Sequence, residues 1–255
     1  MKGSGINASA VQYLLGDEKI NAGALTTFNE YTVASENRLT PIRKDMPLDK
    51  AALIGCAIST GAGAIFNTAK VKPGNSVAVF GAGGVGLSAI QASALSLANP
   101  IIAVDISEAN LVRAQKFGAT RIIHAKKEDP VSTIRELTAN LGADAAVESA
   151  GVRASMEQAF DCVRRGGLAV LIGNLPYQEK ISIDPFELIC GKRIVGSWGG
   201  ETDPDKDFPR YVDRYCSGKL KLDELITHRF KLEEINRAFD LMEQGALGRA
   251  IIEFS

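Results

Sequence analysis

Gly81-Ala82-Gly83-Gly84-Val85-Gly86 is the stretch that decides the fold, because it has the form G-x-G-x-x-G. The apolar run Ser76–Phe80 comes directly before it, and a segment of helical character follows. A glycine turn between a strand and a helix is the context in which this pattern marks a dinucleotide-binding site. Asp105 closes the next apolar run nineteen residues after Gly86, near the ~20-residue spacing at which an acid meets a ribose.

Each glycine of this turn has a separate physical purpose. Gly81 permits the tight turn, Gly83 leaves the backbone open to a pyrophosphate, and Gly86 lets the helix pack closely on the sheet. The pyrophosphate then lies over free N–H groups at the helix N-terminus, where the helix dipole favours negative charge. Asp105 would accept hydrogen bonds from the adenosine ribose and repel a 2′-phosphate, so the predicted cofactor is NAD rather than NADP. The plainer interpretation is a glycine-rich turn with an incidental acid.

From residue 76 the chain alternates short apolar runs with amphipathic segments. This alternation predicts an α/β fold with a doubly wound, parallel, six-stranded Rossmann sheet in the order 3-2-1-4-5-6. The predicted strands are Ser76–Phe80, Ile101–Asp105, Arg121–Ile123, Asp144–Glu148, Gly167–Ile172 and Arg193–Ser197, with two more at Ile226–Lys231 and Arg249–Phe254. The predicted helices are Gly84–Leu97, Ser107–Phe117, Pro130–Leu141, Ala154–Arg164, Pro185–Cys190, Asp207–Ser217 and Leu232–Gln244. Cofactor contacts are expected where strands four, five and six end, at Glu148–Gly151, Ile172–Asn174 and Ser197–Gly200.

Composition excludes several classes of partner. The 255 residues include 29 basic and 30 acidic side chains with a net charge of −1, which favours neither nucleic acid nor an anionic membrane. We find no apolar run near the ~18–20 residues that span a bilayer and no signal peptide, so the expected location is cytoplasmic. The four cysteines form no C-x-x-C pair, and most of them are expected to be reduced and buried.

Blocks outside the glycine turn carry a more specific resemblance. They are Phe28–Val33, Gly55–Gly61, Asn67–Val71 and Leu225–His228. With the glycine turn, these blocks resemble the zinc-dependent medium-chain alcohol dehydrogenases from about Thr27 to the C-terminus. The resemblance implies a remnant of the catalytic GroES-like domain over 1–56, an NAD-binding Rossmann domain over 57–199, and a return into the catalytic domain over 200–255. This incomplete GroES-like β domain, formed by both chain ends, would expose apolar surface and unpaired strand edges, so it is expected to be poorly ordered, repacked or covered by oligomerisation.

The resemblance also implies roles for single residues. Thr60 and Val85 match residues that hold the nicotinamide ring, and Arg249 matches a basic residue that reaches the pyrophosphate. Cys56 matches the third protein ligand of the catalytic zinc, which polarises the alcohol oxygen so that hydride can leave for the nicotinamide. The implied cofactor-binding residues are Gly81, Gly83, Gly84, Val85, Gly86, Asp105, Ser149, Ile172 and Arg249.

The remaining zinc ligands and the proton relay of the family lie upstream of the matching region and are absent. We therefore expect a truncated copy in which Cys56 is the sole surviving ligand. His124 and His228 are interpreted as structural, and Trp198 is favoured as a hydrophobic plug between domains over a cofactor neighbour.

The implied function is NAD-dependent oxidation of a small-molecule alcohol to an aldehyde or ketone. Alternatives are an NAD-binding module without catalysis and a zinc-free medium-chain reductase. A methyltransferase with the same glycine turn would not explain the other blocks. Family members pair through the sixth strand, which predicts a homo-oligomer through Pro185–Ser197.

Overall fold

A six-stranded parallel sheet forms the centre of the computed structural model, which describes residues 13–20, 27–244 and 248–254. The strands are β1 (Tyr13–Leu15), β2 (Glu18–Ile20), β3 (Val77–Phe80), β4 (Ile101–Asp105), β5 (Arg121–His124), β6 (Ala143–Glu148), β7 (Val163–Leu171), β8 (Arg193–Gly196), β9 (Ile226–Lys231) and β10 (Arg249–Glu253). The central sheet has the order β5-β4-β3-β6-β7-β8, and all its neighbouring strands are parallel. The predicted doubly wound order 3-2-1-4-5-6 is thereby confirmed.

Helices cover both faces of this sheet. They are α1 (Leu48–Ala69), α2 (Gly84–Leu95), α3 (Glu108–Lys116), α4 (Pro130–Leu137), α5 (Arg153–Asp161), α6 (Pro185–Ile189), α7 (Pro204–Cys216) and α8 (Ile235–Glu243). In β3, Val77 and Val79 belong to the apolar cluster that includes residues of α1 and α2, whereas Ala78 and Phe80 belong to the cluster on the other face. The all-apolar strand is therefore buried on both sides, as parallel sheets require.

Two of the predicted helices end three or more residues before their predicted ends. The helix predicted over Pro130–Leu141 stops at Leu137, because Ala139 and Asn140 adopt positive φ. The helix predicted over Ala154–Arg164 gives way to β7 at Val163, four residues before the predicted start of that strand. The register of β7 against β6 is irregular over this added portion.

The sequence did not predict α1, which spans Leu48–Ala69 and contains two π-helical turns, Ile54–Ile58 and Ala64–Ala69. By length and composition this helix could cross a membrane, which corrects the expectation that no stretch is long and apolar enough. Just over half of its most apolar window is buried inside the protein, and that burial explains its apolar character. The predicted domain boundary between residues 56 and 57 falls within α1 and stays a prediction.

Glycines let α1 lie close to its neighbours. A Cβ on Gly61 would come within 2.7 Å of Ser88 Cβ on α2. A Cβ on Gly63 would come within 2.8 Å of Thr202 Oγ1, in the segment that follows β8. The Thr202 hydroxyl also donates a hydrogen bond to the Ser59 carbonyl oxygen at 3.0 Å. These contacts place the middle of α1 at the carboxyl edge of the central sheet.

The two chain ends approach each other beside α1. β9 and β10 form a two-stranded parallel sheet, and β1 and β2 form a separate antiparallel pair. Phe28 contacts Phe239 edge to face, with 6.2 Å between ring centroids, and Arg229 forms an ion pair with Asp49. Within the described ranges these ends form no barrel, and large apolar side chains such as Tyr31 are exposed.

Candidate functional site

The turn between β3 and α2 has the geometry that its glycines predict. Gly81 has φ +87°, and a Cβ there would come within 2.9 Å of the Ala150 nitrogen. A Cβ on Gly86 would overlap the Gly81 carbonyl oxygen and come within 2.9 Å of Ser149 Oγ. Side chains at either position would push the turn away from the end of β6. The turn is therefore held tightly against the sheet.

The N-terminus of α2 is open. Gly83 is its N-cap residue, no side chain caps the helix, and a Cβ on Gly83 would meet nothing within 4 Å. The first N–H groups of a helix have no partner within the helix, and they favour an anion. The space over Gly83 is thus available to a phosphate group.

Arg249 brings a half-buried guanidinium with a buried Nε atom to this helix terminus. A Cβ on Gly84 would come within 2.9 Å of Arg249 Cζ, so the guanidinium lies directly over the glycine. The Arg249 Nε atom is buried and has no hydrogen-bond partner. Burial also lowers the pKa of this guanidinium from its ordinary value. An unpaired buried donor is costly, and a bound anion would satisfy it.

Asp105 lies at the end of β4, beside the same turn. Its Oδ2 atom accepts hydrogen bonds from the Ala82 nitrogen at 2.7 Å and from Asn110 Nδ2 at 3.2 Å. Its Oδ1 atom accepts from the Ser107 nitrogen at 2.8 Å. The carboxylate is therefore fixed in position next to the glycine turn, on the side of the switch point that an adenosine would occupy.

A cleft of about 720 Å³ opens between α1 and the ends of β6, β7 and β8. The structure brings together here Cys56, Thr60, Val85, Ser149 and Ile172, which the sequence placed in one site. The other lining residues are Gly55, Ser59, Leu171, Gly173, Asn174, Gly196, Ser197, Trp198 and Gly199. Gly55 and Ser59 were missed as lining residues. The signal for both is the uncharged run from Ala51 to Ala69, which forms most of α1.

A second cleft of about 710 Å³ adjoins the first and shares Gly55, Ser59, Trp198 and Gly199 with it. Trp198 lines both clefts and is 74% exposed. This exposure disagrees with the expectation that Trp198 is a hydrophobic plug between domains. Its side chain instead lines both clefts.

Cys56 is exposed, and its carbonyl accepts a hydrogen bond from the Ser59 hydroxyl at 3.0 Å. Across residues 13–20, 27–244 and 248–254, no three His, Cys, Asp or Glu side chains come together as a metal site. The two histidines lie apart from the cleft lining, His124 at the end of β5 and His228 on β9.

All four cysteines are free, but most are not buried, contrary to expectation. Cys162 alone is fully buried, and burial raises the pKa of its thiol to about 12.

Comparison with known proteins gives consistent matches. The family model for zinc-binding dehydrogenases matches residues 84–216. Alcohol dehydrogenase 1 of Pisum sativum is 40% identical over 230 residues, which cover 89% of this chain and 60% of that protein. S-(hydroxymethyl)glutathione dehydrogenase of Paracoccus denitrificans is 38% identical over 234 residues, covering 89% of this chain and 62% of that protein.

Among solved structures, benzyl alcohol dehydrogenase of Acinetobacter calcoaceticus superposes with a TM-score of 0.87 at 36% identity. The match covers 91% of this chain and 64% of that one. The chain thus spans about three fifths of the length of the curated relatives that it matches.

Proposed function

The chain belongs to the zinc-binding dehydrogenase family, and on that premise we propose that it binds NAD across the open N-terminus of α2 and the 720 Å³ cleft that Val85 lines. The proposed reaction class is hydride transfer between an alcohol and NAD, giving an aldehyde or ketone. The observation that carries the proposal is the unpaired, buried Nε of Arg249 at the open N-terminus of α2. A pyrophosphate would satisfy both the guanidinium and the free N–H groups.

The residues of the chain fit the remaining parts of this cofactor. Asp105 would accept hydrogen bonds from the adenosine ribose, and Thr60 with Val85 would bound the nicotinamide end. Ser149 and Ile172 line the same cleft from the ends of β6 and β7. When bound, NAD accepts a hydride from the carbon that carries the hydroxyl group. A small alcohol or aldehyde would reach it through the adjoining cleft beside Trp198.

Zinc does not fit the described residues by themselves. Zinc sites need three or four protein ligands, and Cys56 stands without two others in the described parts of the chain. This observation favours the two alternatives, an NAD-binding module without catalysis and a zinc-free medium-chain reductase. Asp105 disfavours NADP, which many reductases of that type use.

Three measurements on the purified chain separate these functions. NADH fluorescence reports cofactor binding, metal analysis reports retained zinc, and absorbance at 340 nm reports NADH formed from NAD with ethanol, benzyl alcohol or S-(hydroxymethyl)glutathione. Alcohol-dependent NADH formation supports the dehydrogenase. Binding of NADH without zinc and without turnover supports the module, and oxidation of NADH by a quinone supports the reductase. Absence of NADH binding contradicts all three.

We further propose a homo-oligomer that forms through the outer edge of β8, and a cytoplasmic location. Phe186 and Ile189 on α6 are exposed, as is Val195 on β8. Exposed apolar side chains beside an open sheet edge are typical of interfaces. Free cysteines are in keeping with a reducing compartment.

Cofactor choice is predicted to depend on the charge of Asp105. Asp105→Asn keeps a side-chain oxygen for the Ala82 nitrogen but removes the repulsion of a 2′-phosphate. We expect NADH to bind about tenfold more weakly, because one charge-assisted hydrogen bond to the ribose is lost. We expect NADPH to bind more tightly, because its 2′-phosphate no longer meets a negative charge. Glu108→Gln is the matched control, since Glu108 is an exposed acid paired with Lys127. An unchanged preference in Asp105→Asn would contradict the role of this residue.

A further inference from the structure

Glu148 is a buried acid in the middle of the central sheet, and it lines neither of the two clefts. It is the last residue of β6 and lies in register with Phe80 of β3 and Leu171 of β7. Glu148 is fully buried, with 0% of its surface exposed to solvent. Glu148 is thus placed directly beneath the loops that form the floor of the 720 Å³ cleft.

The carboxyl group fixes the turn that follows β6. Glu148 Oε1 accepts hydrogen bonds from the Ala150 nitrogen at 2.9 Å, the Gly151 nitrogen at 2.8 Å and the Ser155 hydroxyl at 2.7 Å. The three donors come from the turn and from the first part of α5. Ser149, which lines the cleft, lies within the segment that this carboxyl holds.

The backbone of Glu148 fixes the end of β7 at the same time. Its carbonyl oxygen accepts hydrogen bonds from the Ile172 nitrogen at 2.9 Å and the Gly173 nitrogen at 3.1 Å. Ile172, Gly173 and Asn174 also line the cleft. One residue therefore holds both of the loops that meet at the expected nicotinamide end.

The loops 149–151 and 172–174 are packed closely against each other. A Cβ on Gly173 would come within 2.5 Å of Glu148 Oε2 and 2.7 Å of Gly151 Cα. A Cβ on Gly151 would come within 2.7 Å of the Asn174 carbonyl oxygen. The two loops thus contact each other at Gly151 and Gly173, and the Glu148 carboxyl group packs against Gly173 beside this contact.

This arrangement is costly for folding. Glu148 Oε2 is buried without a hydrogen-bond partner, and burial raises the pKa of the carboxyl group. Unsatisfied buried polar atoms are rare in native proteins and call for an explanation, of which function is one.

We propose that Glu148 is a positioning residue that sets the spacing of the loops 149–151 and 172–174, and thereby the affinity for the nicotinamide end of NADH. The inference rests on the proposed NAD-binding function. Glu148 acts through the loops and is not expected to touch the cofactor.

The test compares NADH with ADP-ribose, which lacks the nicotinamide ring, by calorimetric titration of the full chain. Glu148→Ala should weaken NADH binding about tenfold and leave the affinity for ADP-ribose unchanged. Glu148→Gln, which keeps an oxygen for the three donors, should restore NADH binding to within about threefold of wild type. A general loss of stability would instead weaken the binding of NADH and of ADP-ribose to the same extent.

Asp144 supplies the matched control because it lies on the same strand at the opposite edge of the sheet. It accepts hydrogen bonds from the Ser76 nitrogen and hydroxyl and from Arg164 Nε. Asp144→Asn should lower stability and leave both affinities unchanged. Equal NADH affinity in Glu148→Ala and wild type would overturn the positioning role.

Ser155→Ala tests the proposal if Glu148→Ala does not fold. It removes one of the three donors, and we expect a loss of about threefold in NADH affinity with ADP-ribose binding unchanged. Wild-type NADH affinity in Ser155→Ala would overturn the proposal in that case. Failure of the wild-type chain to bind NADH would contradict the proposed function itself and is distinguishable from either result.

Discussion

At the scale of single residues, Gly83 and Gly86 lie three positions apart and have opposite physical constraints. Gly83 faces open space, whereas Gly86 is in contact with the turn that precedes it. The sequence pattern predicts a glycine at both positions. Only the structure shows that Gly83 leaves room for a ligand, whereas Gly86 leaves room for the backbone of Gly81.

Alanine at these two positions should therefore have different effects. Gly86→Ala should lower the free energy of unfolding by about 1–3 kcal/mol, the usual cost of overpacking, because the methyl group overlaps the Gly81 carbonyl oxygen. Gly83→Ala should change stability by less than about 0.5 kcal/mol yet weaken NADH binding at least tenfold. Urea unfolding and NADH titration measure the two effects. Normal NADH binding by Gly83→Ala would show that the pyrophosphate lies elsewhere.

At the scale of elements, an ion-pair group joins α1 to the sheet formed by β9 and β10. Asp49 Oδ2 lies 2.6 Å from Lys50 Nζ and 2.6 Å from Arg229 Nη2, and Arg229 also pairs with Glu253. The hydrogen bonds from Lys50 and then Arg229 lower the pKa of Asp49 to about 2. This group connects a strand near the C-terminus to the helix that lines the cleft.

The lowered pKa of Asp49 predicts a pH-dependent contribution to stability. The unfolded-state pKa of an aspartate is about 3.9, so the contribution is present above about pH 4 and is lost as the pH falls toward 2. Asp49→Asn should therefore lower the unfolding free energy at pH 7 by about 1 kcal/mol, with allowance for solvent screening, and the variant should approach wild type near pH 2. Asp213→Asn, which removes an exposed ion pair to Arg43, is the control. A constant difference from pH 7 to pH 2 would contradict the assignment.

The elements show how far the sequence alone can predict this molecule. The six strands and their order follow from apolar runs and one glycine turn, because both signals are local. The helix α1 could not be recognised in the same way, since Gly61 and Gly63 have low helical propensity and their purpose is contact with α2 and the segment after β8. The unpaired Nε of Arg249 likewise depends on a contact between residues far apart in the chain.

At the scale of the whole molecule, the open edge of β8 is the feature that favours assembly. β8 pairs only with β7 in the described part of the sheet. The Val195 side chain on this strand is 37% exposed, and apolar side chains of the preceding helix α6 are also exposed. A second copy pairing along this edge would cover them.

We predict that the chain sediments as a dimer and that Val195→Lys shifts it to a monomer, because a charge on an edge strand opposes pairing. Val112→Lys, on α3 and also partly exposed, is the control and should remain dimeric. Analytical ultracentrifugation over a range of concentrations gives the answer. A monomeric wild-type chain at all concentrations would contradict the proposed interface.

The central claim is that the glycine turn, Arg249 and Asp105 together form an NAD site, and calorimetric titration with NADH tests it most directly. We expect saturable binding of one NADH per chain, with NADPH at least tenfold weaker. A wild-type chain that is folded but shows no saturable binding of NADH would contradict the account.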